Sequence, residues 1–298
     1  MTKAILRTLV VAVLLSVNVL PREGVAYGFF DGHRDEGRPI QIPINDDGGR
    51  QWLMQGRVCR PEGISRPQLV VINHGSPPRA SDRPGMSLES CDSEVVQWFV
   101  RRHYAVAVVL RLGYGRTGGP WTEGYEGCEN ADYYKAGLET ARQLKTMVDY
   151  LVKLPDFEPN GVIVVGQSAG GWGTLAYDSI DHPNVAAFIN MAGGRGGHHH
   201  DRPDSNCHPE KLVEATSKFG RTATTPMLWV YVKNDSYFNP TLATAMHQAF
   251  IQVGGKADLV APRAFGDDGH HLFFGRNGSE VWGPIVDRFL KTIKAPAS

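Results

Sequence analysis

The stretch Gly161-Val-Ile-Val-Val-Gly-Gln-Ser-Ala-Gly-Gly-Trp-Gly-Thr-Leu-Ala-Tyr177 decides the fold of this chain of 298 residues. Its β-branched run, Val162 to Val165, predicts a strand buried on both faces. The run ends in Gly166-Gln-Ser-Ala-Gly170, and small residues then predict a helix. G-x-S-x-G between a strand and a helix is typical of a nucleophile elbow, a sharp turn that exposes a serine above a sheet edge. The alternative is an ordinary glycine-rich turn, because the chain contains 34 glycines.

Outward from this stretch, strands and helices alternate. Apolar runs predict strands at 40–44, 51–59, 68–74, 104–110, 185–191, 227–232 and 257–261. Helical spacing predicts helices at 93–103, 131–154, 241–253 and 281–293, with Asn130 as a cap. This order predicts an α/β fold of three layers, in which helices cover both faces of a mostly parallel sheet. Two long polar segments, 111–130 and 192–225, are expected to be loop insertions.

The balance of charge argues against a nucleic-acid partner. Lys and Arg together number 31, and Asp and Glu also number 31, without a basic run. A small neutral substrate suits this surface better. The length after a short leader fits one domain, which we expect to span residues 27–298.

The N-terminus resembles a secretory signal. Lys3 and Arg7 precede an apolar stretch of about a dozen residues, too short to span a bilayer comfortably. Gly24 and Ala26 suit the two positions that a signal peptidase reads, which predicts a signal peptide at 1–26. We therefore expect a secreted or periplasmic protein without a stable membrane span after cleavage.

Four cysteines remain in the exported part. An even number in an oxidising compartment favours disulfides, although four cysteines allow three pairings and the sequence does not choose among them. Their spacing does not match a metal site. The four are Cys59, Cys91, Cys128 and Cys207.

A serine nucleophile needs a base and a carboxylate that orients the base. Asp235 follows the strand at 227–232, and His270 follows the strand at 257–261, so both are expected at the same sheet edge as Ser168. The alternatives are His271 as the base and a solvated turn role for Asp235. We prefer His270 because Gly269 gives its backbone freedom.

An oxyanion hole requires two N–H donors. The residue after the nucleophile, Ala169, is expected to supply one, and Ser76, in the loop after the strand at 68–74, the other. Aromatic side chains are expected at the pocket rim. They are Trp172, Tyr237, Trp121 and Tyr125.

With these motifs the chain resembles an α/β-hydrolase from about Gln68 to Leu290. Gly166-Gln-Ser-Ala-Gly-Gly171, Lys233-Asn-Asp-Ser-Tyr-Phe238 and Asp268-Gly-His270 are similar to dienelactone-hydrolase-like members. The resemblance implies a Ser-His-Asp triad and no metal cofactor. Dienelactone hydrolases proper use a cysteine where this chain has Ser168, so their substrate does not transfer.

The expected function is therefore that of an exported serine hydrolase that cleaves a small carboxylic ester through an acyl-enzyme. The alternatives are a serine peptidase of the prolyl-oligopeptidase or acyl-aminopeptidase type and a non-catalytic binding protein on the same fold. His198-His-His-Asp201 suggests metal ligands, but adjacent histidines seldom converge on one ion. We expect this segment to form a polar rim without a metal.

Overall fold

The computed structural model describes Met1 and residues 37–293. The predicted signal peptide therefore falls outside the described residues, apart from Met1. Arg34–Ser298 forms one compact unit. Within the described part of the chain, no helix is long and apolar enough to cross a membrane.

Eight strands form one sheet in the order β1-β2-β4-β3-β5-β6-β7-β8. The strands are β1 (Arg38–Asn45), β2 (Gln51–Cys59), β3 (Leu69–Asn73), β4 (Ala105–Val109), β5 (Val162–Gln167), β6 (Val185–Met191), β7 (Met227–Val230) and β8 (Ala257–Val260). Only the pairs that involve β2 are antiparallel. The prediction of a mostly parallel sheet is confirmed.

Helices cover both faces of the sheet. They are α1 (Glu94–Val100), α2 (Tyr133–Leu151), α3 (Ala169–Tyr177), α4 (Pro209–Gly220), α5 (Pro240–Ile251) and α6 (Gly278–Thr292). Side chains of α2 to α5 pack with one set of strand residues, and those of α1 and α6 with the other set. In β3, for example, Val71 belongs to the first layer of the core and Val70 to the second, because successive strand residues face opposite ways.

Two local expectations were wrong. The segment 192–225 was expected to be loop, but it contains α4, which buries Leu212 and Phe219. Its polar and glycine-rich flanks hid the apolar face, although Pro209 is a helix-start signal. Helix α2 begins after Asp132, not after Asn130, because the Asp132 side chain accepts a hydrogen bond from Lys135 N–H at 2.9 Å.

The structure pairs the four cysteines as Cys59–Cys91 and Cys128–Cys207. The first disulfide joins β2 to the segment before α1. The second joins the segments 111–130 and 192–225. Tertiary structure thus resolves the pairing that the sequence left open.

Candidate active site

Ser168 stands at the turn between β5 and α3. Its φ of 54° and ψ of −122° form a conformation that a residue with a side chain adopts only when its surroundings impose it. A Cβ added at Gly166 would collide with the Gly170 carbonyl oxygen. One added at Gly170 would collide with the carbonyl oxygens of Asn73 and His74. Both glycines are therefore required where strand, helix and the β3 loop meet, which is the geometry of a nucleophile elbow.

The side chains of Ser168, Asp235 and His270 meet at the edge formed by the carboxyl ends of the parallel strands. His270 Nε2 lies 3.0 Å from Ser168 Oγ. His270 Nδ1 lies 3.1 Å from Asp235 Oδ2. Asp235 is 1% exposed and His270 is 5% exposed, so little water competes for their hydrogen bond. A carboxylate at Nδ1 holds the ring proton there and leaves Nε2 able to accept the serine proton.

Polar side chains hold the loop that carries His270. Asp268 Oδ1 accepts from His270 N–H at 2.9 Å and from Ser236 N–H at 3.1 Å. Burial opposes the ionisation of Asp268, but its hydrogen bonds lower its pKa below the ordinary value. Gln167 Nε2 donates to the His270 carbonyl oxygen at 3.0 Å. The neighbouring His271 is exposed and makes no hydrogen bond to Ser168.

The predicted oxyanion donors lie beside the nucleophile. Two prolines follow Ser76 and carry no N–H, which limits the donors that this loop can offer. No described residue accepts a hydrogen bond from Ser76 N–H or from Ala169 N–H, which opens α3. Both residues line the same cavity as Ser168. The arrangement has the donors that an oxyanion hole requires.

The His74 side chain holds this loop through hydrogen bonds to the backbone. Arg111 N–H donates to His74 Nε2 at 3.2 Å, and His74 Nδ1 lies 2.6 Å from the Gly75 carbonyl oxygen. One ring nitrogen therefore accepts and the other donates, which defines a neutral imidazole. The pKa of His74 is lowered to about 3, mainly by burial and to a smaller extent by the positive charge of Arg111.

A buried ionic network fixes the segment 111–130. Glu123 is fully buried and accepts from Arg111 Nε, from Arg195 Nη2 at 2.7 Å and from the Tyr114 hydroxyl at 3.0 Å. Burial alone would raise the pKa of Glu123, but the two guanidinium groups lower it to about 2. Two arginines share one carboxylate, so the network carries a net positive charge.

Two cavities meet at Ser168. The apolar cavity has a volume of about 330 Å³, and its walls include Ile72, Met86, Leu88, Val108, Leu110 and Phe274. The polar cavity has a volume of about 670 Å³, and its walls include Arg83, Trp121, Tyr125, Lys135, Arg195 and Tyr237. Ser76 and Tyr237 line both. A substrate can thus place one part in each cavity with its reacting carbonyl at the serine.

The predicted rim residues divide into two groups. Tyr237, Trp121 and Tyr125 lie along the polar cavity, and the Tyr237 ring stacks on His270 with 4.2 Å between centroids. The prediction for Trp172 was wrong. It is completely buried, and its indole N–H donates to the Tyr133 carbonyl oxygen at 2.8 Å. Trp172 is near Ser168 in sequence, but α3 turns its side chain into the core.

The described residues contain one group with the spacing of metal ligands, Cys128, His199 and Cys207. The two sulfur atoms are joined to each other as a disulfide, so neither is the thiolate that a metal binds. His198, from the histidine run, instead stacks on Tyr237 with centroids 3.6 Å apart. Its Nε2 lies 2.7 Å from Ser236 Oγ. His198 thus contacts a residue that lines both cavities, while the histidines of this run do not themselves line either one.

Sequence reasoning missed several residues of the site. Gln167 occupies the first variable position of the G-x-S-x-G pattern. Its place directly before Ser168 was the signal that could have identified it. Arg111 directly follows β4, and Arg195 lies in a glycine run shortly after β6, so both come at the catalytic edge of the sheet. Glu123 had no local signal, because no motif surrounds it and its partner Arg195 lies 72 positions away.

Comparisons with known proteins address the fold. No protein-family model matches the sequence, and no curated protein gives a significant sequence match. Among solved structures, Est1E from Butyrivibrio proteoclasticus is similar at 15% identity, with 85% of this chain and 98% of that chain covered and a TM-score of 0.54. An acylaminoacyl peptidase from Pyrococcus horikoshii is similar at 13% identity, with 88% and 42% covered and a TM-score of 0.57.

A protein assigned as a dienelactone hydrolase from Klebsiella pneumoniae is also similar. The identity is 15%, the coverage is 85% of this chain and 98% of that chain, and the TM-score is 0.52. At these identities the likeness concerns the fold. The sheet order, the elbow and these neighbours together identify an α/β-hydrolase fold.

Proposed function

We propose that this protein is a serine hydrolase that cleaves a carboxylic ester through an acyl-enzyme. The observation that carries the proposal is the chain of contacts from Asp235 through His270 to Ser168. Ser168 Oγ bonds to the ester carbonyl carbon while its proton passes to His270 Nε2, and the Ser76 and Ala169 N–H groups stabilise the oxyanion. The C–O bond to the alcohol then breaks, and the alcohol leaves with that proton.

Water completes the cycle. It attacks the acyl group on Ser168, its proton passes to His270, and the acid is released as the serine regains a proton. Asp235 stabilises the imidazolium that forms twice in this sequence. Every proton is returned, so the reaction needs no co-reactant other than water.

We prefer ester to peptide cleavage. The alignment with the acylaminoacyl peptidase covers 42% of that protein, whereas the alignment with the esterase Est1E covers 98% of it. Hydrolysis of an acyl-aminoacyl anilide by the wild-type protein, lost in Ser168→Ala, would favour the peptidase. The alternative of a binding protein is disfavoured because all three members of the triad are present and in contact.

We also propose that the protein is exported to the periplasm or secreted. The charged and apolar leader before Ala26 and the two disulfides support this assignment. The expected result is a mature chain that begins after Ala26, read by N-terminal sequencing of protein from the culture medium or periplasm. A full-length chain confined to the cytoplasm would contradict it.

The test of the catalytic proposal is Ser168→Ala. Hydrolysis of p-nitrophenyl butyrate should fall by roughly 10⁴-fold or more, and labelling by a fluorophosphonate probe should disappear. Ser65→Ala removes an exposed hydroxyl far along the chain and serves as the matched control. Equal rates in Ser168→Ala and the wild type would refute the mechanism.

A further inference from the structure

Two arginines line the polar cavity, and each has an Nε–H group without an acceptor among the described residues. Arg195 is 5% exposed, and its Nη2 donates to Glu123 and Thr140. Its Nε is buried, and no described residue accepts from it. Arg83 Nε is also buried and has no acceptor within residues 37–293. Buried donors are normally paired, so these two suggest that a ligand supplies the acceptors.

The charges around these arginines favour an anion. The Arg83 guanidinium lies over the Trp121 ring, 3.4 Å from its centroid, at the cavity wall. Burial is the main cause that lowers the pKa of Arg83; Tyr114 and Glu123 oppose this shift, and the repulsive charge of Arg195 adds to it. An anion bound at both guanidinium groups would reduce this repulsion.

The other charged groups that line the cavity do not cancel the positive charge of these two arginines. Asp47, Glu126 and Lys135 also line the polar cavity, and Lys135 pairs with Glu126 at an exposed position. Asp47 is exposed as well. Glu123 contacts Arg195, but it shares its charge with Arg111. The inner part of the cavity is therefore positive.

We propose that the polar cavity binds a carboxylate of the substrate and that Arg83 and Arg195 recognise it. This inference rests on the proposed ester hydrolysis, since it concerns the substrate that Ser168 attacks. Planar guanidinium groups match a carboxylate with paired N–H donors. The apolar remainder of the substrate lies in the apolar cavity.

The test compares charged and neutral forms of the same ester. One pair is p-nitrophenyl hydrogen glutarate and its methyl ester, with the charge in the acyl part. The other pair is 4-acetoxybenzoate and its methyl ester, with the charge in the alcohol part. The wild-type enzyme should show a kcat/KM about tenfold higher for the charged member of at least one pair.

Variants assign the preference to the arginines. Arg83→Gln and Arg195→Gln should each reduce the ratio of charged to neutral kcat/KM by about tenfold. Arg83 is only half-buried, so Arg83→Gln provides a folded variant if Arg195→Gln fails to fold. Arg79→Gln removes an exposed arginine that pairs with Asp82, and it should leave the ratio unchanged.

Two results would overturn the carboxylate site. One is a preference for the neutral member in both pairs, and the other is an unchanged ratio in folded Arg83→Gln. Hydrolysis of the neutral esters, lost in Ser168→Ala, would still support the proposed function in either case. No hydrolysis of any of the four esters would overturn both proposals.

Discussion

At the scale of single residues, Ser168 and His270 are positioned by neighbouring amide side chains that take no part in the proposed proton transfer. The strained backbone of Ser168 costs roughly 1–3 kcal/mol, which the surrounding structure must offset. One compensating contact is the hydrogen bond from Asn73 Nδ2 to the Gly170 carbonyl oxygen at 2.9 Å. Gln167 ties the histidine loop to the same turn. Catalytic geometry at these residues is thus maintained by the polar contacts around them.

The neutral state of His74 makes stability depend on pH. Its pKa in the folded protein is about 3, against an ordinary value of 6.5. Because the folded pKa is lower, the unfolded chain binds a proton below pH 6.5 that the folded chain does not bind. The stability contributed by neutral His74 is therefore complete above pH 6.5 and is lost as the pH falls towards 3.

His74→Gln should reduce this dependence. Between pH 6 and pH 4 the wild-type free energy of unfolding should fall more steeply than that of the variant, by up to about 1.4 kcal/mol per pH unit. Urea denaturation at pH 7, 6, 5 and 4 measures both slopes. Identical slopes for the two proteins would show that His74 does not contribute to the pH dependence of the free energy of unfolding.

At the scale of structural elements, the segment 111–130 has little regular structure but a fixed position. Apart from a short 3-10 turn at Gly115–Thr117, it is irregular. The Glu123–Arg195 pair ties it to the segment after β6, and the Tyr114 hydroxyl lies 3.1 Å from Ser76 Oγ. A buried carboxylate therefore determines where the wall of the polar cavity and the oxyanion loop lie.

Glu123→Gln tests that role. The variant leaves two buried guanidinium groups without a countercharge, so the free energy of unfolding should fall by roughly 3–5 kcal/mol. The control is Glu158→Gln, because Glu158 is 52% exposed and pairs with Arg66 at 3.8 Å. Its loss should cost less than about 1 kcal/mol. Chemical denaturation that gives equal losses for both variants would exclude a structural role for the network.

At the scale of the whole molecule, two core layers and the Cys128–Cys207 disulfide support the sheet edge that carries the proposed triad. Helices α2 to α5 pack on one face of the sheet, and α1 and α6 pack on the other. Cys128–Cys207 links segments 79 positions apart, both of which line the polar cavity. A cross-link over such a long loop restricts the unfolded chain and also holds the cavity walls together.

Removal of this cross-link should weaken the fold. The double variant Cys128→Ser and Cys207→Ser should lose roughly 2–5 kcal/mol of unfolding free energy, measured by chemical denaturation. Mass spectrometry of peptides from the unreduced wild-type protein should find the Cys59–Cys91 and Cys128–Cys207 links. Any other pairing would contradict the structure.

Local patterns in the sequence were sufficient for the architecture and for the predicted triad. The alternation of buried strands and helices predicts a mostly parallel sheet, and Ser168, Asp235 and His270 each follow a predicted strand. Parallel strands end at one edge, so these side chains were expected to meet, and in the structure they do. The signal lies within a few residues of each position, which is why the sequence alone reveals it.

Tertiary structure alone decided the rest. The cysteine pairing, the inward turn of Trp172 and the contact of Glu123 with Arg195 all involve contacts between distant segments or the rotation of a helix. The positive polar cavity likewise exists only after folding, because Arg83 and Arg195 come from loops 112 positions apart in the chain. Contacts of this kind depend on how the segments pack, and no local pattern in the sequence encodes them.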